Sequence, residues 1–184
     1  MDRRNESINR IKQSIDSASE IEAKSIVLHP GFRGENISLS KRINEDSILT
    51  LYEYAKSFGL NLVLENMIPN SLFFMSRPHE FEDFFRSHQV NLKLVFDAGH
   101  ANLDFLVEEF ISKCSQYFYV IHCHNNFGKK DEHLGIEDGT IDWDFVTSEL
   151  FRKGFDGIFV VEACEKPYDC LRKLREKIRS KKKL

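Results

Sequence analysis

Five residues that can bind a cation or move a proton recur along this chain: His29, Glu65, Asp97, His122 and Glu162, spaced 25 to 40 residues apart. Each ends a short apolar run: Ile26-Val27-Leu28, Leu60-Asn61-Leu62-Val63-Leu64, Leu92-Lys93-Leu94-Val95-Phe96, Tyr117-Phe118-Tyr119-Val120-Ile121 and Ile158-Phe159-Val160-Val161. A lone His or Glu after such a run is usually a cap or a loop residue; five in five is not explained that way. Ionised carboxylates at the ends of buried strands are costly unless paired or metal-bound. Two glutamates, an aspartate and a histidine brought together would form a site for a hard-to-borderline divalent ion. A pair of carboxylates flanking a substrate could also take a proton and return one.

Something must bring them together. Ile8, Ile11, Ile15, Ala18 and Ile21 follow the three-and-four step of a buried helical stripe over 5–23. The same period returns over Asp46–Phe58, stopped by Gly59, and further helices are predicted around Phe81, Phe84 and Phe85, over Leu103–Cys114 and over Trp143–Arg152. A final amphipathic helix carries Tyr168, Leu171, Leu174 and Ile178. Trp143 is expected in the core at a helix start, with Asp142 near the helix dipole. Helices alternating with strands predict βαβ units and a parallel sheet. Parallel strands direct all their C-terminal ends to one face, where the catalytic residues of barrels gather. The intervals between the five residues match one barrel step of roughly 30 residues.

The chain has 184 residues with 41% hydrophobic content, enough for one domain spanning 1–184 with a real core. A net charge of −3 argues against a duplex-binding surface. The basic run Lys177 to Lys183 is expected to be a solvated helix end. Cys114, Cys123, Cys164 and Cys170 lack CxxC spacing, and with no apolar leader or membrane-length segment a reduced, cytoplasmic setting is expected. No Gly-rich phosphate loop is present.

The chain resembles the xylose isomerase-like barrel superfamily, which holds sugar phosphate isomerases and epimerases and, more distantly, endonuclease IV. The motifs that carry the resemblance are Leu28-His29-Pro30-Gly31, Leu64-Glu65-Asn66, Phe96-Asp97-Ala98-Gly99-His100 and Ile121-His122-Cys123-His124-Asn125-Asn126. They continue through Asp131-Glu132-His133-Leu134, Asp138-Gly139-Thr140-Ile141-Asp142-Trp143, Gly154-Phe155-Asp156-Gly157 and Val161-Glu162. The resemblance implies an α/β fold: a partial (β/α)8 TIM barrel of about five parallel strands with covering helices, the C-terminal five-eighths of the barrel. It implies one divalent ion (Mn, Zn, Co or Mg) held by Glu65, Asp97, His122 and Glu162. Glu65 and Glu162 would be the catalytic pair, and His29, His100 and His124 would contact a sugar or sugar phosphate. The endonuclease-like alternative adds His29, His100, Asp131 and His133 as metal ligands in a multi-ion cluster.

Two departures stand out. The first three family strands have no counterpart here, so two open sheet edges are expected to favour self-association, and the chain could be a fragment requiring a partner. Glu137-Asp138-Gly139 replaces the family's Gly-Glu-Gly-like turn. Nucleic acid and membranes are not expected partners.

Overall fold

A computed structural model describes residues 3–70 and 72–181. Helices α1 (Arg3–Glu20), α2 (Ile37–Ser57), α3 (Pro78–His88), α4 (Ala98–Asn102), α5 (Val107–Cys114), α6 (Trp143–Arg152) and α7 (Pro167–Lys181) alternate with strands β1 (Ser25–Leu28), β2 (Asn61–Glu65), β3 (Lys93–Asp97), β4 (Phe118–Cys123) and β5 (Ile158–Val161). All strands pair in parallel, in the order β1-β2-β3-β4-β5. Such a connection is the rule for right-handed crossovers between neighbouring parallel strands. The result is a curled portion of a TIM barrel, as the sequence predicts.

The pleat divides each strand between two environments. On the helix side Leu62, Leu64, Leu94, Phe96, Ile121 and Cys123 join the main core with Phe81, Phe84, Phe110 and Trp143. Phe96 stacks on Phe118 at 4.8 Å, and Phe85 on Tyr117 at 3.9 Å. On the other face Val63, Val95 and Val120 form a smaller apolar layer.

Several helices differ from the predicted pattern. α2 begins at Ile37 rather than near Asp46, because Asn36 caps it by accepting the Leu39 N–H; the exposed Ile37, Leu39 and Ile43 gave no burial period to read. The helix expected over Leu103–Cys114 begins only at Val107, as α5; the short α4 ends before it at Asn102, and in the turn between them Phe105 adopts a φ of 57°. Ile21 and Tyr168 complete apolar stripes in the sequence yet are exposed, since each lies at or past a helix end. Trp143 is buried and Asp142 caps α6, accepting from the Asp144 and Phe145 N–H groups. Of the basic tail, Lys177 pairs with Asp144 and Glu137, while Lys182 and Lys183 lie outside the described residues. No helix among the described residues is long and apolar enough to cross a membrane.

Candidate metal centre

Period-two alternation carries the inner valines directly into the site. Val63 and Glu65 share a face of β2, Val95 and Asp97 a face of β3, and Val120 and His122 a face of β4. Glu162, just past β5, continues the face of Ile158 and Val160, and His29, just past β1, that of Val27. Register then sets them side by side: Asp97 pairs with His122 and His122 with Val160.

Three carboxylates surround one imidazole nitrogen. His122 Nδ1 lies 3.2 Å from Glu65 Oε1, 3.3 Å from Glu162 Oε1 and 3.6 Å from Asp97 Oδ2. Burial opposes protonation of His122, but hydrogen bonds to Asp97 and Glu65 and the charges of Glu65 and Glu162 outweigh it, raising its pKa to about 10. Burial likewise opposes ionisation of Asp97 and Glu65. Hydrogen bonds from His122 and His124 nonetheless hold Asp97 well below the usual carboxylate range, and those from His122 and His29 lower Glu65. Glu162 is pushed the other way, by burial and then by the charges of Asp97 and Glu65, which the attraction of His122 does not offset.

A second tier of histidines follows. His29 Nε2 meets Glu65 Oε2 at 3.1 Å. His100 Nδ1 donates to the Asn66 carbonyl at 2.8 Å, while its Nε2 faces Asp131 Oδ2 at 3.4 Å. Burial disfavours charge on His100, yet Asp131, Asp97 and the Asn66 carbonyl raise its pKa to about 9. His124 Nε2 donates to Asp97 at 3.0 Å; its buried Nδ1 has no hydrogen-bond partner among the described residues and faces Asp131 Oδ1 at 3.8 Å. The His124 ring packs onto Gly99, where an added Cβ would sit 1.9 Å from Cε1, so only glycine fits there.

The loop carrying Asp131 and His133 is tied into this centre. A two-residue bridge pairs Asn125 with Leu134, with N–H···O distances of 3.0 and 2.8 Å. Asn126 donates from Nδ2 to the Gly99 carbonyl and accepts at Oδ1 from Asn102 Nδ2 and the Gly128 N–H. His133 donates from Nδ1 to the Glu162 carbonyl at 2.9 Å, meets Asp131 through Nε2 at 3.2 Å and stacks on His124 at 3.9 Å.

All nine residues singled out in the sequence therefore meet at one end of the sheet. The asparagines that hold them, Asn66, Asn102, Asn125 and Asn126, received no role from the sequence, although Asn66 and Asn125 sit beside or near ligand positions in the quoted motifs. The donor chemistry fits a divalent ion: the sets Asp97–His122–Glu162, Glu65–Asp97–His100 and His124–His133–Glu162 each bring one donor atom per residue within 4.8 Å of the others. Convergence of three carboxylates on one nitrogen is the charge pattern a cation would complete.

Parallel strands that end in a shared set of carboxylates and imidazoles define a TIM-barrel-like α/β protein with its polar residues gathered at the C-terminal ends of the strands. The chain matches the xylose isomerase-like TIM barrel family over residues 1–182, and it belongs to that family. An uncharacterized protein of Methanocaldococcus jannaschii is 30% identical over 161 residues, covering 83% of this chain; the match spans only 55% of that relative's length. The solved structure of a D-tagatose 3-epimerase-like protein superposes with a TM-score of 0.90 at 25% identity, covering 98% of this chain and 71% of the other. That of the IolI protein with a bound zinc atom gives 0.73 at 20% identity, covering 97% and 67%.

Proposed function

We propose that this chain carries the metal and proton-transfer centre of a sugar or sugar phosphate isomerase or epimerase. The observation that carries the reading is the convergence of Glu65, Asp97 and Glu162 on His122 Nδ1. The D-tagatose 3-epimerase-like fold neighbour supports the substrate class, and the zinc-bearing IolI barrel supports a divalent ion, with Mn, Co and Mg also suited to the donors. Glu65, Asp97, His122 and Glu162 would hold the ion, which supplies polarisation of a substrate carbonyl and its neighbouring hydroxyl. Glu65, held ionised, takes the proton from the carbon beside the carbonyl, and the electron pair of that C–H bond moves into an enediolate. Glu162, which burial and the neighbouring carboxylates make easier to protonate than an ordinary glutamate, returns one to the enediolate. His29, His100 and His124 orient hydroxyls around the reacting carbons.

The test is deuterium wash-in. The native chain, loaded in turn with Mn2+, Zn2+, Co2+ or Mg2+, is incubated in D2O with ketopentoses, ketohexoses and their phosphates. Proton NMR should show exchange at a carbon beside the carbonyl. A metal-loaded chain that exchanges none of them overturns the reading.

One observation favours a second reading. Asp131 and His133 are docked against His100, His124 and Glu162, as a multi-ion phosphodiesterase centre like that of endonuclease IV would require. More than one bound ion per chain, with cleavage of an abasic-site duplex, would favour that reading over sugar chemistry.

A further inference from the structure

The inference rests on the metal-centre reading above and concerns what holds the ligands at their spacing. Backbone pairing between β2 and β3 is in register up to Glu65 opposite Val95, two residues short of Asp97. Beyond that point a side chain takes over from the ladder. Asn66, 1% exposed, donates from Nδ2 to the Asp97 carbonyl at 2.9 Å and accepts the Asp97 N–H at Oδ1 at 2.7 Å. The amide therefore imitates a peptide group of β2 and fixes the Asp97 backbone beside Glu65, the residue preceding it in sequence. Its own carbonyl accepts Nδ1–H of His100. The His100 backbone N–H in turn donates to Asp97 Oδ1 at 2.7 Å, leaving Oδ2 facing His122.

We propose that Asn66 is the positioning residue of this centre: its amide sets the separation of the Glu65 and Asp97 carboxylates, and its carbonyl holds His100 through Nδ1–H with Nε2 turned toward Asp131. The three hydrogen bonds belong to a single residue, so two ligand-bearing strands and the histidine between them are fixed as a unit. Outer partners that orient metal ligands in this way change metal affinity by about 10- to 100-fold when removed.

Asn66→Asp keeps the size and the Oδ acceptor, removes the Nδ2 donor and sets a carboxylate oxygen against the Asp97 carbonyl. Zn2+ and Mn2+ binding to the full chain is measured by calorimetry for the native protein, for Asn66→Asp and for Leu150→Ala. The last opens a cavity in the helix layer and serves as a stability control away from the site. Asn66→Asp should weaken binding at least about tenfold, whereas Leu150→Ala, although less stable, should bind as the native chain does. Imidazole 15N shifts of the native metal-free chain should show His100 protonated at Nδ1. The proposal is overturned if Asn66→Asp binds within about twofold of native, if Leu150→Ala weakens binding as much as Asn66→Asp does, or if native His100 carries its proton on Nε2 alone. Should the native chain take up neither ion, the metal reading falls, and the proton on His100 Nδ1 alone then decides whether the clamp exists.

Discussion

The three inner strands and the two edge strands end in the same kinds of residue and treat them differently. Glu65, Asp97 and His122 finish β2, β3 and β4 with 3%, 0% and 7% of their surface exposed. His29 and Glu162 follow β1 and β5, where a sheet neighbour is present on one side only, and their side chains are 61% and 31% exposed. Charge follows burial: Asp97 and Glu65 are held ionised by imidazoles, while Glu162 is more easily protonated than an ordinary glutamate. An interior with a fixed charge pattern suits ion binding, and a half-open rim where a glutamate is easier to protonate suits proton exchange with a substrate.

The largest effect should come from the most buried member. Asp97 accepts from His122, His124 and the His100 backbone, so Asp97→Ala leaves buried imidazoles without their counter-charge. Removing one partner of a buried charged set costs roughly 3–5 kcal/mol. Urea unfolding of the metal-free chain should show a loss of that order, and divalent binding should vanish. The milder Asp97→Asn should still weaken binding far more than Cys123→Ser, since Cys123 points into the helix-side core. Equal losses from the two substitutions would mean the inner strand ends are ordinary packing.

The next effect is that of pH on the metal-free chain. Asp97 and Glu65 have folded pKa values below their ordinary 3.8 and 4.5, so their contribution is complete above those values and is lost as pH falls through the folded ones. His122 and His100 have folded values raised from 6.5 to about 10 and about 9. Their contribution is complete below 6.5 and is lost as pH rises toward 10. Thermal melts should therefore peak between about pH 4.5 and 6.5 and decline above it. A divalent ion takes the place of those protons, so Zn2+ should raise Tm more at pH 8 than at pH 6. A flat profile from pH 5 to 9 would remove the contrast between interior and rim.

How much of this could be read in the sequence follows the same division. Short apolar runs and the recurrence of ligand types at their ends made the five strands and the inner donors legible, because burial on both faces leaves apolar runs that end abruptly at a polar residue. The early start of α2 and the break at Phe105 were not legible, since capping by Asn36 and a positive φ leave no periodic trace. Nor was the asparagine network. Its work is done through side-chain imitation of backbone pairing, and asparagine in a loop ordinarily signals a turn.

At the edges a moderate effect is expected on assembly. Val27 on β1, and Ile158 and Val160 on β5, continue the inner valine layer but are 41%, 45% and 37% exposed. Unpaired edges bearing β-branched residues recruit other strands. We expect light scattering of the chain to show self-association that Val27→Lys with Ile158→Lys reduces, with circular dichroism unchanged. A native chain that stays monomeric at high concentration would show that the open face needs no cover.

The smallest effect should be at His29. Its Nε2 contacts Glu65 Oε2 at 3.1 Å, and that hydrogen bond raises its pKa despite partial burial. The ring is nonetheless largely in solvent, where a charged contact contributes little, about 0–1 kcal/mol. His29→Gln keeps a hydrogen-bonding group near Glu65 while removing the imidazole. If His29 only lines the rim of a sugar site, divalent affinity should change by no more than a few-fold, and any larger loss should appear in KM for the sugar. If His29 is instead a ligand of a second ion, as the endonuclease-like arrangement requires, the substitution should lower the number of ions bound per chain while leaving the tighter one in place. Calorimetric stoichiometry separates these outcomes. It therefore decides whether the rim at β1 belongs to the substrate or to the metal, the point on which the two functional readings of this chain part.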